Sequence, residues 1–326
     1  MAPLDGNPAV GGLAAPPVGE LVSRSMAEIG FDGKVAIVTG AGGGLGRQHA
    51  LLLASRGARV VVNDLGGSVS GEGSDKGPAE SVAQEIRDAG GEAVSDGNSV
   101  STAAGGEAIV QTALDAYGQV DIVVNNAGIL RDKTFHNLTP ELLEPVLDVH
   151  LKGAFFVTKP AWLKMREQGY GRIINTTSQS GVLGNFGQSN YGAAKMGLVG
   201  FTRVLSQEGA KYNIKVNAIA PIARTRMTEE LMGAAASKLD PELVSPVVAW
   251  LASEECSVTG EVFTVAAGRV GRFFIGMTKG YFNPNLSVED VRDHLEEIRD
   301  ESGYTVPASA GDETAFLFKM LQEHGA

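Results

Sequence analysis

From Lys34 onward the chain alternates short apolar runs with longer helical stretches, and the first apolar run ends in a cluster of glycines. Lys34–Thr39 (KVAIVT) leads into Thr39-Gly-Ala-Gly-Gly-Gly-Leu-Gly46, and a helix is expected from about Gly44 to Ser55. Further runs at Ala58–Asp64, Glu92–Asp96, Val120–Asn125, Arg172–Thr177, Lys215–Ile219 and Glu261–Val265 complete a set of about seven. Helical stretches separate them, notably Pro140–Glu167 and Ser189–Ala210. Apolar strands spaced by helices belong to a parallel sheet covered on both faces. The pattern predicts an α/β fold with a doubly wound, mostly parallel seven-stranded sheet of Rossmann type.

Residues 28–274 are expected to form that domain, and residues 275–326 a helical C-terminal extension docked on it or on a partner subunit. In the extension, Ser287-x-x-Asp290 resembles a capping box opening a helix with Val288, Val291, Leu295 and Ile298 on one face. A second short helix is expected over about Asp312–Glu323. Gly66–Gly77 (GGSVSGEGSDKG) reads as a flexible surface loop. Residues 1–27 read as a disordered leader: the Ala/Gly/Pro-rich start has no cationic segment followed by an apolar stretch, so it is not a secretory signal.

The formal charge of −11 argues against a nucleic-acid partner, since phosphate neutralisation needs basic patches. Cys256 is the single cysteine and cannot form an intramolecular disulfide. Five scattered histidines make no metal-ligand pattern, so no metal is expected. No apolar run is long enough for a membrane span. The C-terminal Glu-His-Gly-Ala carries no peroxisomal tripeptide, and cytoplasmic is the default expectation for location.

Glycines between a first strand and a first helix allow a tight turn and let backbone N–H groups approach a pyrophosphate at the helix N-terminus. No Gly-Lys-Ser/Thr follows, which excludes a nucleoside-triphosphate loop. Asp64 ends the second strand eighteen residues after Gly46. A carboxylate there accepts hydrogen bonds from both adenosine ribose hydroxyls and repels a 2′-phosphate, favouring NAD over NADP. Arg47 beside the loop opposes that preference.

Tyr191-Gly-Ala-Ala-Lys195 supplies the reactive end. Positions four apart share a helix face, so Lys195 can hold a cation near the Tyr191 phenol and lower its pKa. A tyrosine tuned this way can take a proton from an alcohol. Ser178 lies thirteen residues upstream.

Together these segments resemble the short-chain dehydrogenase/reductase family. The matching motifs are Thr39-Gly-x-x-x-Gly44-x-Gly46, Asn125-Asn126-Ala127-Gly128, Ser178, Tyr191-x-x-x-Lys195 and Asn217-Ala-Ile-Ala-Pro221. Val62–Gly67, Asn125–Asp132, Gly184–Gln188, Met227-Thr228 and the tail after Asn285 are similar to the (3R)-hydroxyacyl-CoA dehydrogenase regions of type 2 multifunctional enzymes. The resemblance implies a catalytic set of Ser178, Tyr191, Lys195 and His150. His150 stands where the family has asparagine, and imidazole can titrate near neutral pH. It implies cofactor contacts from Gly40, Gly44, Leu45 and Gly46, from Asp64 and Leu65, and from Asn98 and Ser99. Asn125, Asn126, Ala127, Gly128, Tyr191, Lys195, Pro221, Ile222 and Thr225 complete that set. Ile222 replaces the glycine usual after Pro221, and Asn98 an aspartate often found beside the adenine.

The expected reaction is NAD-dependent oxidation of a (3R)-hydroxyacyl-CoA. Arg131, Lys133, Arg224 and Arg226 flank the expected cleft and could meet the phosphates of an acyl-CoA; Ser178 would hold its oxygen. A 17β-hydroxysteroid or other secondary alcohol is the alternative substrate, and a non-enzymatic dinucleotide sensor a further one. Members of the family pair through the long helices after the fourth and fifth strands, which implies a homodimer or homotetramer.

Overall fold

The structure, a computed structural model, describes residues 28–75, 77–223 and 239–323. The expected leader, together with Arg224, Thr225 and Arg226, lies outside the described residues.

Eight strands form one sheet in the order β3-β2-β1-β4-β5-β6-β7-β8. They are β1 Val35–Thr39, β2 Arg59–Asn63, β3 Glu92–Asp96, β4 Ile122–Asn125, β5 Gly171–Thr176, β6 Ile214–Ile222, β7 Val262–Ala266 and β8 Arg269–Phe273. The first seven run parallel. The eighth pairs antiparallel with β7 across a two-residue turn. Ala267 (φ 47°) and Gly268 (φ 80°) supply the left-handed backbone of that turn. Expecting seven strands missed β8, whose half-exposed edge position leaves no buried apolar run to read.

The main helices are α1 Gly44–Ser55, α2 Gly77–Asp88, α3 Ala103–Tyr117, α4 Pro140–Leu147, α5 Gly153–Gln168, α6 Gln179–Leu183, α7 Ser189–Gly209 and α8 Ser245–Ala252. Strand side chains alternate between the two faces. From β1, Ala36 and Val38 pack with Leu53 of α1, Ile86 of α2 and Val248 of α8. Val35 and Ile37 face the other way, toward Ile109 of α3 and Val157 and Met165 of α5. Both faces are therefore apolar, which is why the strands read as continuous hydrophobic runs. Cys256 is buried in the first of these layers.

The sheet order reverses between β1 and β4. The C-terminal ends of the strands diverge there and leave a crevice, the usual ligand site of such sheets.

The helix expected over Pro140–Glu167 is broken. A π-type turn at Asp148–Lys152 separates α4 from α5 and carries His150 inward. Such turns interrupt the regular hydrogen-bond ladder and are common at functional sites.

In the extension the single expected amphipathic helix is two short ones, α9 Val288–Asp293 and α10 Leu295–Ile298, followed by α11 Ala310–Glu323. The capping box at Ser287 and Asp290 is present. Val288, Val291 and Leu295 are exposed. The segment before α11 is tied to α7 by Arg203, which donates to the Pro307 carbonyl at 2.9 Å.

Candidate active site

A cleft of about 590 Å³ opens at the reversal of the sheet, with the glycine turn and Asp64 at one end and Ser178 and Tyr191 at the other.

The turn after β1 is held by close backbone approach. A Cβ on Gly46 would lie 2.3 Å from the Gly40 carbonyl oxygen, so only glycine fits. Gly46 therefore shapes the turn without lining the cleft, while Gly40, Gly44 and Leu45 line it. Nothing lies within 4 Å of a Cβ built on Gly43, leaving an open cradle at the start of α1. Asp64 follows β2 and accepts from the backbone N–H of Gly42 at 2.8 Å and of Gly66 at 2.7 Å. Leu65 lines the wall beside it. Arg47 points elsewhere: its guanidinium pairs with Glu85 at 2.6 Å.

Past β3, Asn98 and Ser99 line the same cleft. Buried Asp96 grips Asn98 through the backbone N–H at 2.9 Å and the side-chain Nδ2 at 2.7 Å. That leaves the carboxamide oxygen of Asn98 as the acceptor toward the cleft. Sequence reasoning missed Asp96, which is buried at the end of a strand that is otherwise only partly buried, so the apolar pattern there gave little signal.

Asn125 and Asn126 do structural work. Asn125 donates to Thr158 Oγ1 and Asn175 Oδ1, both at 2.9 Å, below the cleft floor. Asn126 donates to the Thr39 and Gly40 carbonyls at 3.0 and 3.1 Å, tying β4 to the glycine turn. Thr39 Oγ1 accepts from the N–H groups of Asn126 and Ala127 at 3.1 Å. Asn126, Ala127 and Gly128 line the cleft, and Asn125 lies behind it. Pro221 and Ile222, at the end of β6, line it from the far side.

Three elements converge on the reactive end. Ser178 follows β5 and caps α6, accepting from the Ser180 N–H at 3.1 Å. Tyr191 and Lys195 stand one turn apart on α7, and the Tyr191 hydroxyl hydrogen-bonds with Ser178. Asn190 fixes the start of that helix by donating to the carbonyls of Arg131 and Leu142, each at 2.9 Å.

Burial raises the Tyr191 pKa above that of an ordinary phenol; the Ser178 hydrogen bond opposes this, and the Asp132 charge adds to it. The expected lowering by Lys195 is not seen. The Lys195 ammonium lies 5.5 Å from the phenol ring centroid and donates to the Thr176 carbonyl at 2.5 Å. Burial pulls the Lys195 pKa down to about 7.

His150 is 4% exposed. Its Nε2 lies 2.7 Å from the Ile129 carbonyl, and its Nδ1 has no hydrogen-bond partner. Burial and the nearby Lys195 charge hold its pKa well below 6.5, so it does not titrate near neutrality as its residue type suggested.

The cations expected to serve a substrate fare differently. Arg131 does not line the cleft; its Nε donates to the Ser70 carbonyl at 2.9 Å and its Nη1 to the Glu141 carbonyl at 2.8 Å. Lys133 is exposed beside the mouth, where its N–H donates to the Gly187 carbonyl at 2.8 Å. Arg224 and Arg226 lie outside the described residues. Among the described residues no group of His, Cys, Asp and Glu is placed to hold a metal, and no helix is long and apolar enough to cross a membrane.

A glycine-turn cleft ending in a Ser-Tyr-Lys set defines a class of enzyme, and comparison with known proteins agrees with it. The short chain dehydrogenase family profile matches residues 34–235. The chain belongs to that family, and is an oxidoreductase of the short-chain type.

Its relatives narrow the group. A short-chain type dehydrogenase/reductase of Mycobacterium tuberculosis is 52% identical over 276 residues, covering 84% of this chain and 96% of the relative. The hydroxyacyl-CoA dehydrogenase ChsB1 of the same organism is 39% identical over 260 residues, covering 74% and 79%. The solved structure of full-length peroxisomal multifunctional enzyme type 2 from Drosophila melanogaster superposes with a TM-score of 0.76 at 38% identity. That match covers 90% of this chain and 50% of the Drosophila enzyme, so this chain spans half the larger protein's length.

Proposed function

We propose that this protein is an NAD-dependent dehydrogenase of (3R)-hydroxyacyl-CoA, yielding the 3-ketoacyl-CoA. The observation that carries the reading is the single cleft joining Asp64 to the Ser178, Tyr191 and Lys195 cluster. Family members use NAD or NADP, and the residues present fit such a group. The open cradle at Gly43 suits a pyrophosphate at the start of α1. Asp64 would take the adenosine ribose hydroxyls, and the free carboxamide oxygen of Asn98 suits the adenine amino group. The pairing of Arg47 with Glu85 removes the cation that would have favoured a 2′-phosphate. A nicotinamide held there would supply the hydride acceptor for the substrate carbon.

The chain's own residues handle the proton and the oxygen. Ser178 Oγ accepts from the Ser180 N–H, and its hydroxyl hydrogen, which faces the Tyr191 oxygen, can turn to a substrate oxygen placed between the two. Tyr191 takes the hydroxyl proton in oxidation and returns it in reduction. Lys195, with a pKa near 7, can hold or release a proton at Nζ close to neutrality, next to the phenol it serves. His150 stays neutral and packs edge-on against the Tyr191 ring.

The acyl-CoA assignment is supported by similarity to ChsB1 and to the type 2 multifunctional enzyme. We further propose a homodimer. Phe155 and Leu163 of α5 and Met196 and Val204 of α7 are exposed, and Phe155 stacks on Phe201 with centroids 3.9 Å apart. An apolar face on two adjacent helices suits a self-complementary contact.

Steady-state rates with NAD and with NADP test the cofactor assignment. NAD should be preferred, and Asp64→Ala should erase most of the preference. Equal use of both by the unmodified protein would refute the role given to Asp64.

A further inference from the structure

The segment after β2, expected to be a flexible surface loop, is folded into a closed strap. Its ends meet where the Asp75 N–H donates to the Leu65 carbonyl at 2.9 Å. Its tip is a tight turn: Ser68 N–H donates to the Glu72 carbonyl at 2.8 Å and Gly71 N–H to the Ser68 carbonyl at 2.9 Å. Compact loops with adjoining ends move as units and are frequently functional.

The strap starts at Asp64 and docks on the segment that leads from Gly128 toward α4. Leu130 N–H donates to the Val69 carbonyl at 3.0 Å, and Arg131 Nε to the Ser70 carbonyl at 2.9 Å. Gly71 (φ 85°) brings its backbone against Ile129, where an added Cβ would lie 3.0 Å from Cδ1. Gly67, Ser68, Val69 and Gly71 line the same cleft as Tyr191. The strap therefore crosses from the Asp64 end of the cleft to the wall beside His150.

Arg131 connects this strap to the body of the domain. Its second contact, to the Glu141 carbonyl, fixes the guanidinium at the start of α4. Both acceptors are backbone carbonyls, so the strap is held by one side chain and one backbone bond, with glycines near both its ends. We propose that residues 65–75 form a strap over a bound nicotinamide dinucleotide, and that Arg131 is its latch, a positioning residue for the cofactor. This rests on reading the cleft as the dinucleotide site. It gives the Arg131 guanidinium a task other than meeting substrate phosphates.

The test is the rate at which reduced cofactor leaves the full-length protein, read by stopped-flow fluorescence, alongside KM for NAD and for the acyl-CoA. Losing a charge-assisted hydrogen bond that holds a closed state acts chiefly on dissociation. Arg131→Ala should speed release of NADH about tenfold, a scale set by the worth of one such bond. KM for NAD should rise with it, with kcat and the KM for acyl-CoA little changed. Arg131→Lys, which cannot span both carbonyls, should show an intermediate rate. Gly71→Ala, strained by its positive φ and by Ile129, loosens the strap without touching Arg131 and should also speed release; it keeps the test intact if Arg131→Ala folds poorly. Unchanged release in the folded variants would overturn the proposal, as would a rise confined to the KM for acyl-CoA. If the unmodified protein binds only NADP, the Asp64 reading fails, and the same variants test the latch with NADPH.

Discussion

The imidazole of His150 stands edge-on to the phenol ring of Tyr191, with centroids 5.1 Å apart and planes at 89°. The contact exists because Gly128 has no side chain: a Cβ there would lie 2.3 Å from His150 Cε1. Ring and glycine together set the wall against which Tyr191 packs. We expect Gly128→Ala to push the imidazole toward Tyr191 and lower kcat by about tenfold, the scale of a misplaced catalytic group. Its effect on KM for NAD should be smaller. Steady-state kinetics on the purified variant checks this, and His150→Asn in the same background should restore part of the loss by making room.

The pH profile follows from the charges around Tyr191. Burial and Asp132 raise the phenol's pKa, so oxidation should accelerate as pH rises above neutrality. Removing the Asp132 charge lowers that pKa, and Asp132→Asn should move the rising limb of kcat/KM to lower pH. His150, held neutral by burial, should contribute no limb near pH 6.5, and His150→Asn should leave the shape of the profile unchanged. Tyr191→Phe should reduce turnover by on the order of a thousandfold at every pH.

Stability in acid depends on a second buried histidine. His49 of α1 is fully buried, bonded through Nδ1 to Ser245 Oγ at 2.8 Å, and its pKa falls to about 3. The unfolded chain takes up that proton near the ordinary value of 6.5, and the folded chain does not until about 3. Stability from this site is therefore full above pH 6.5 and is lost as pH falls toward 3. Each unit of difference is worth about 1.4 kcal/mol. Thermal melts from pH 7 to pH 4 should show a falling midpoint, with a shallower fall in His49→Gln.

The dimer proposal predicts a clean disruption. Val204→Glu places a charge in the exposed apolar face of α7, away from the cleft. Sedimentation velocity should show the unmodified protein as a dimer and the variant shifted toward monomer, with its circular dichroism spectrum unchanged.

Most of the sheet was legible because its strands are buried on both faces, so Val35–Thr39 and Ile122–Asn125 each read as an unbroken apolar run. β8 was not, since Arg269–Phe273 is an edge hairpin with mixed exposure. The Tyr191–Lys195 spacing, common by chance on helices, pointed to α7 only together with Ser178 and the glycine turn. The break at His150 was invisible, because a π-type turn leaves no composition signal inside an otherwise helical stretch. Glycine content suggested mobility for residues 66–77, but what holds the strap is a set of backbone carbonyls. The contacts of Arg131 were hidden for the same reason: its partners, Ser70 and Glu141, accept through the main chain, and sequence shows only side chains.

The most direct test of the central claim is the formation of reduced nicotinamide, followed by absorbance, when the purified protein is mixed with NAD and a (3R)-hydroxyacyl-CoA. Turnover is expected with this enantiomer, little with the (3S) form, and near-complete loss in Tyr191→Phe. No turnover with the (3R)-acyl-CoA, together with rapid oxidation of a 17β-hydroxysteroid, would contradict it.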